Sequence, residues 1–190
     1  SVSILTTAKY FVPMLLGQLS TQHPGIEVSL FVGNRKAILD RLTHNKDDLY
    51  ILGQPPENLG IISIPFAPNP LVAIAHPQHP LAGKKKISPK RLAEEPFIAR
   101  EPGSGTRLSC DVFFKRHHVM PQVRMELGSN EAIKQTVAGR LGISIVAKIT
   151  AEAEISRGTL VILDVKGLPL LRQWHLVYPE HKVLAPAAQA

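Results

Sequence analysis

Apolar and polar positions along the chain change period repeatedly, from two to between three and four and back again. Val2–Leu5 reads as a short strand running into the polar pair Thr6-Thr7. Val12, Leu15, Leu16 and Leu19 then recur at the spacing of one helical face, and the stripe stops before Pro24-Gly25. Thr7 stands where it can cap this helix, and Pro13 demands either a kink or a start close to Pro13 itself. Ile26, Val28, Leu30 and Val32 alternate with polar residues as a half-buried strand does. Asn34 is the natural N-cap of a helix carrying Ile38, Leu39 and Leu42 on one side, and Leu49–Leu52 is a third strand ending at Gly53-Gln54-Pro55-Pro56. Strand, polar loop and helix have by then repeated, which predicts βαβ units and a parallel sheet.

Ile61–Phe66 and Leu71–Ala75 are short apolar runs around Pro68 and Pro70, and the turn His76-Pro77-Gln78-His79-Pro80 follows. They read as strands of a mixed sheet at a change of organisation, so the chain is expected to cross there between two subdomains: 1–72 with 174–190, and 73–173. The second half repeats the scheme. Ser88 caps a helix over Pro89–Glu95, and Phe97–Ala99 is a strand. Leu108–His118 is a helix with Leu108, Val112, Phe113 and Val119 inward. Val123–Leu127 leads through Gly128-Ser129-Asn130, a loop that can cap a helix, to a helix with Ile133, Val137 and Leu141, which Gly142 ends. Ile143–Ala147 is a buried strand, Ala151–Ser156 a helix, and Leu160–Leu163 and Leu170–Tyr178 close the series.

In parallel sheets ligands sit beyond the carboxyl ends of the strands. Thr6, Thr7, Asn34 and Gln54 fall at such ends in the first half, and Arg100 to Thr106, Ser129 to Glu131 and Val146-Ala147 do so in the second. The stretch Arg100-Glu101-Pro102-Gly103-Ser104-Gly105-Thr106-Arg107 is the most informative. Its glycines and proline forbid regular structure, while Ser104 and Thr106 are good helix caps, so unpaired N–H groups are exposed at the positive end of a helix. Anions bind at such ends, and a guanidinium adds bidentate hydrogen bonds to carboxylate or phosphate. The competing reading is a capped connection with solvated arginines. Two sheets facing each other would aim both sets of loops into one cleft.

The 190 residues carry a formal charge of +7, which permits attraction to nucleic acid or small anions and selects neither. Basic residues are dispersed apart from Lys84–Lys86, and no aromatic platform or basic helix adjoins that run, so no nucleic-acid face is built. No apolar stretch approaches the roughly 20 residues that span a bilayer. Ser1 leads straight into a strand-like run, so the chain is expected to be a piece of a longer polypeptide.

Enzyme chemistry finds no foothold. Cys110 is the single cysteine and reads as a small apolar helix residue. His76 and His79 lie in a proline turn and His117-His118 at a helix end, without a cysteine or carboxylate at ligand spacing, so no metal is expected. Gly103-Ser104-Gly105 is not the Gly-x-Ser-x-Gly elbow, and Leu108 stands where a dinucleotide fingerprint needs its third glycine. Neither catalytic residues nor a cofactor are expected.

Several segments in order resemble the effector-binding domain of LysR-type transcriptional regulators. They are Thr6-Thr7 before an amphipathic helix, His23-Pro24-Gly25-Ile26-Glu27-Val28, Asp48-Leu49, and Leu71 to Ile74 before His76 to Leu81. Ile87 to Leu92 before Pro96-Phe97-Ile98, and Gly139 to Val146, complete the set. Thr6 to Pro13, Arg100 to Arg107 and Ser129 to Gln135 look like the branch that controls carbon-fixation and inorganic-carbon-uptake operons. The resemblance implies an α/β fold of two Rossmann-like subdomains with mixed sheets, joined by two crossover strands in the manner of type 2 periplasmic binding proteins. It implies a cytoplasmic homodimer or homotetramer sensing a small anionic metabolite: a phosphorylated intermediate of carbon fixation or photorespiration, a 2-oxo acid or NADPH. DNA would be bound only through the family's N-terminal winged helix-turn-helix, which has no counterpart in these residues. Carried onto this sequence, the effector positions are Thr6, Thr7, Asn34, the loop of Arg100, Gly103, Ser104, Gly105 and Thr106, then Ser129, Asn130, Val146 and Ala147; Gln54 shares their strand-end position, and Lys9 and Arg100 are the candidates for neutralising ligand charge. A solute-binding protein that delivers an anion to a transporter shares this two-lobed scheme.

Overall fold

The computed structural model describes residues 1–184 and 188, without the side chains of Ser3, Leu5, Thr6 and Thr7. By its own contacts the chain divides into two units, Ser1–Pro68 with Gln173–Ala190, and Asn69–Arg172. Along the first stretch run β1 (Val2–Leu5), α1 (Val12–Gln22), β2 (Leu30–Gly33), α2 (Arg35–Thr43), β3 (Leu49–Leu52) and β4 (Ile61–Pro68). The second unit holds β5 (Leu71–Ala75), α3 (Pro89–Ala93), β6 (Pro96–Arg100), α4 (Gly105–Arg116), β7 (Gln122–Leu127), α5 (Asn130–Ala138), β8 (Ser144–Ala147), α6 (Lys148–Ser156) and β9 (Val161–Ile162). The chain then returns to the first unit as β10 (Gln173–Pro179).

The first unit is one mixed sheet in the order β2-β1-β3-β10-β4. β1 runs parallel to β2 and β3, while β10 is antiparallel to β3 and β4. Ile4, Val12, Ile38, Leu42, Leu52, Trp174 and Val177 form its core. Tyr50 is buried among them, and its hydroxyl is satisfied at both ends: it donates to the Arg41 carbonyl at 3.0 Å and accepts from the Asp47 N–H at 2.9 Å. Thr6–Tyr10 is a turn of 3-10 helix and α1 starts only after Phe11, so Thr7 is not its cap. This also removes the difficulty with Pro13, which lies in the first turn where no intrahelical N–H is required. Leu15 points outward, and the strand expected from Ile26 is paired only from Leu30 onward.

In the second unit β5 is flanked antiparallel by β8 and β9, and β6 pairs parallel with β7. The two ribbons are joined at Ile143, whose N–H donates to the Pro96 carbonyl at 2.9 Å and whose carbonyl accepts from the Ile98 N–H at 2.8 Å. β6, β7 and the run into β8 therefore point the same way. Apolar side chains pack on both sides, Phe97, Phe113, Phe114, Ile143 and Ile145 in one cluster and Ile74, Ile98, Ile133 and Val146 in another. α4 begins at Gly105 and α6 at Lys148, three residues earlier than the hydrophobic pattern indicates in each case. The buried face of α4 is Ser109, Cys110, Phe113 and Phe114, whereas Leu108 and Val112 face solvent.

Candidate functional site

Parallel pairing sets where polar strand ends gather. In the second unit β6 and β7 lead at their carboxyl ends through short loops, and β8 directly, into the next helix, so α4, α5 and α6 begin along the same edge of the sheet. Ser104 caps α4 by accepting from the Arg107 N–H at 3.4 Å, and Ser129 caps α5 by accepting from the Ala132 N–H at 3.3 Å. Ala147 begins α6 without a side-chain cap. Gly103 turns the chain into α4 at φ 90°, a left-handed conformation that a β-carbon disfavours. Three helix N-termini with spare backbone donors on one edge form a positive potential without requiring a metal.

Arg100 ends β6 and is 4% exposed. It donates from Nε and Nη2 to the Glu101 carboxylate at 2.7 and 3.0 Å, and from Nη1 to Asn130 Oδ1 at 2.7 Å. The amide nitrogen of Asn130, equally buried, has no partner among the described residues. Arg107 bridges Asp111, Glu126 and the Arg100 carbonyl, and these carboxylates hold its pKa above the ordinary arginine value. Thr106 is buried in the first turn of α4. Val146 turns its side chain into the apolar core and Ala147 is likewise buried, so only their backbone groups reach the edge.

The first unit has its own edge of this kind, because β1, β2 and β3 are parallel. Asn34 caps α2, accepting from the Ala37 N–H at 3.1 Å. Gln54 follows β3, and its carbonyl accepts from Arg35 Nη2 at 3.4 Å. Lys9 lies with its ammonium 5.4 Å from the centre of the Tyr10 ring. Thr6 and Thr7 follow β1 along the backbone, and their side chains lie outside the described residues.

Two arginines absent from the residues singled out above stand at these edges. Arg35 opens α2 with its Nε shut away from water and, among the described residues, without a partner. Arg172 donates from Nη1 to Ser109 Oγ at 2.9 Å and to the Gly105 carbonyl at 3.3 Å, and its buried Nε also lacks a partner among the described residues. Arg35 is legible beside the Asn34 cap. Nothing local marks Arg172, which meets α4 only through tertiary structure.

Cys110 is buried, with its sulfur 3.9 Å from the Ile145 carbonyl, and desolvation pushes its thiol up to about 12. It is therefore an unreactive core residue at neutral pH. Among the described residues no group of three or more His, Cys, Asp or Glu side chains could hold a metal ion, and no helix is long and apolar enough to cross a membrane.

The family described as the LysR substrate binding domain matches residues 2–190. A RuBisCO operon transcriptional regulator of Acidithiobacillus ferrooxidans is 53% identical over 189 residues, covering 100% of this chain and 61% of that protein. The HTH-type transcriptional activator CmpR of a Synechocystis strain is 51% identical over 188 residues, covering 99% and 62%. The chain thus spans about three fifths of the length of the curated relatives it matches. Among solved structures, the regulatory domain of Synechocystis CcmR in complex with 2-PG superposes with a TM-score of 0.95 at 48% identity, covering 99% of this chain and 90% of that one. The effector-binding domain of QuiR in complex with shikimate, at 24% identity and a TM-score of 0.86, shares the fold.

Proposed function

The chain belongs to the LysR substrate-binding domain family, and from that membership we propose that it senses a small anionic metabolite for a cytoplasmic regulator of carbon-fixation or inorganic-carbon-uptake genes. The observation that carries this reading is the convergence of three helix N-termini, two of them serine-capped, on one sheet edge lined by buried polar side chains. A ligand with a phosphate or carboxylate suits those donors, and 2-PG in the CcmR complex is a guide to its size and charge. Phosphorylated intermediates of carbon fixation or photorespiration, 2-oxo acids and NADPH are the chemical range proposed. The relatives are named as transcriptional regulators, which favours a sensor over a solute-binding protein serving a transporter. The proposed role is recognition, with no bond made or broken, and DNA contact belongs to the N-terminal domain of the full-length protein.

Binding shifts a regulator only by its differential affinity for two arrangements, typically about 1–3 kcal/mol of coupling. Calorimetric titration of the 190-residue chain with 2-PG, 2-oxoglutarate and NADPH tests the reading. At least one is expected to bind, and silence with all three counts against a sensor of this class. Thr106→Ala is expected to weaken that binding several-fold while leaving thermal unfolding nearly unchanged, because the higher helix propensity of alanine in the first turn of α4 offsets the small loss of buried side chain. Unchanged affinity would remove Thr106 from the site.

We further propose that the chain forms homodimers or homotetramers. Each unit has a sheet edge with apolar side chains turned outward, Leu30, Phe31 and Val32 on β2 and Val123 and Met125 on β7. Exposed apolar edges invite pairing unless charge or proline blunts them. Sedimentation over a hundredfold concentration range is expected to show a species above the 20.8 kDa of one chain. Leu30→Glu is expected to shift it toward the monomer, and a monomer at every wild-type concentration would refute self-association.

A further inference from the structure

Charge accounting around α4 singles out one side chain. Three arginines are tied to the loop and first turn of that helix, and two are already neutralised, Arg100 by Glu101 at 2.7 Å and Arg107 by Glu126 at 2.8 Å and Asp111 at 3.0 Å. Arg172 is not. Its two hydrogen-bond acceptors, Ser109 Oγ and the Gly105 carbonyl, are neutral. Among the described residues no carboxylate pairs with it, and its Nε is buried with nothing to donate to. Desolvation without a counter-charge pulls its pKa down to about 10, far below an ordinary guanidinium though still charged at neutral pH.

The strand register adds a second, independent observation. Gln173 pairs with Pro68 and Leu170 bridges Leu71, so Asn69 stands directly across from Arg172, and its N–H donates to the Arg172 carbonyl at 2.7 Å. Directly opposed residues of an antiparallel pair place their side chains on the same face, with β-carbons roughly 5 Å apart. Asn69 is 2% exposed, and among the described residues neither its amide oxygen nor its amide nitrogen has a partner. Buried polar groups are paired in the great majority of cases, and each left alone costs about 1–3 kcal/mol. A guanidinium without a counter-charge, held against the N-terminal turn of a twelve-residue helix, and an amide without a partner on the same ribbon face mark a place built for something not supplied by the described residues.

We propose that Arg172 is the residue that takes up the anionic head of the effector, a phosphate or carboxylate, with the Asn69 amide beside it and the α4 N-terminus completing the site. The assignment rests on the sensing function proposed above and adds to it the group that selects for negative charge. Arg100, despite its place in the glycine loop, is held by Glu101 and Asn130 and serves as frame.

Titration of the 190-residue chain with 2-PG and with inorganic phosphate, in the wild type and in Arg172→Met, Arg172→Lys and Asn69→Asp, tests the proposal. The wild type is expected to bind 2-PG, Arg172→Met to lose at least tenfold, and Arg172→Lys to recover part of the loss. Asn69→Asp supplies an internal carboxylate in the ligand's place, so it is expected to lose binding and to unfold at a higher temperature. Arg172→Met is likewise expected to unfold, without ligand, no earlier than the wild type, an outcome a purely structural arginine would not give. Affinity for 2-PG within twofold of the wild type in Arg172→Met would overturn the proposal while leaving the sensing function standing. Should Arg172→Met fail to fold, retained binding in Asn69→Asp overturns it equally. If the wild type binds no anion at all, the sensing function falls first and this assignment with it.

Discussion

Arg100→Met is expected to destabilise the domain by about 3 kcal/mol, the lower end of the range for removing one member of a buried ion pair. The lower end applies because Glu101 keeps about a quarter of its side chain in water and can be rehydrated, whereas Arg100 itself is 3% exposed along its side chain. The loss is not confined to the pair. Among the described residues Asn130 has only the Arg100 Nη1 donor for its oxygen and no partner for its nitrogen, so the substitution leaves a buried amide without either bond. The Arg100–Asn130 bond joins the end of β6 to the start of α5, and the Arg100 carbonyl separately receives Arg107 from α4. The substitution leaves the carbonyl that receives Arg107 in place and releases the α5 N-terminus, so anion binding is expected to fall together with stability. Urea unfolding followed by circular dichroism reads the effect as a lower midpoint at unchanged slope. A wild-type midpoint combined with lost anion binding would show that Arg100 touches the ligand and is not part of the frame. Arg172→Met provides the contrast, since removing an unpaired charge relieves a cost.

What could be read from the chain alone divides by sequence distance. The caps Asn34, Ser88, Ser104 and Ser129 were legible, because each bonds an N–H three residues ahead and the signal is contiguous. The strand-loop-helix repeat was legible for the same reason, and it places the polar strand ends correctly within each parallel set. Which way a helix turns was not. Leu108 and Val112 are apolar and correctly spaced, yet α4 buries Cys110, Phe113 and Phe114, a rotation decided by the β8 backbone against which Cys110 packs. Likewise Ile26 and Val28 alternate as a strand does, but β2 is an edge whose pairing with β1 begins at Leu30. Arg172 lies further still from sequence reasoning. Its meaning depends on Asn69 standing opposite it and on Ser109 beneath it, neither of which any local pattern connects to it.

Gly142→Ala is expected to cost about 3 kcal/mol, the upper part of the usual range for overpacking. A β-carbon at this position would come within 2.3 Å of the Pro96 carbonyl oxygen and 3.0 Å of its carbon. These are backbone atoms, which no rotamer change can move aside. Pro96 also accepts from the Ile143 N–H, and Ile143 in turn accepts from Ile98, so the clash falls on the junction that aligns the β6-β7 ribbon with β8. Separating that junction displaces the ends of β6 and β7 relative to the end of β8, and with them α4 and α5 relative to α6. Loss of anion binding should therefore exceed what partial unfolding alone explains. Gly17→Ala is the matching control. It adds the same methyl group in the interior of α1, where nothing lies within 4 Å, and replacing a helical glycine should stabilise by up to about 1 kcal/mol. Opposite signs for one chemical change, measured by thermal unfolding, would establish that the strand junction imposes the glycine. Equal midpoints for the two variants would mean that the β6–β8 contact yields more readily than its geometry indicates.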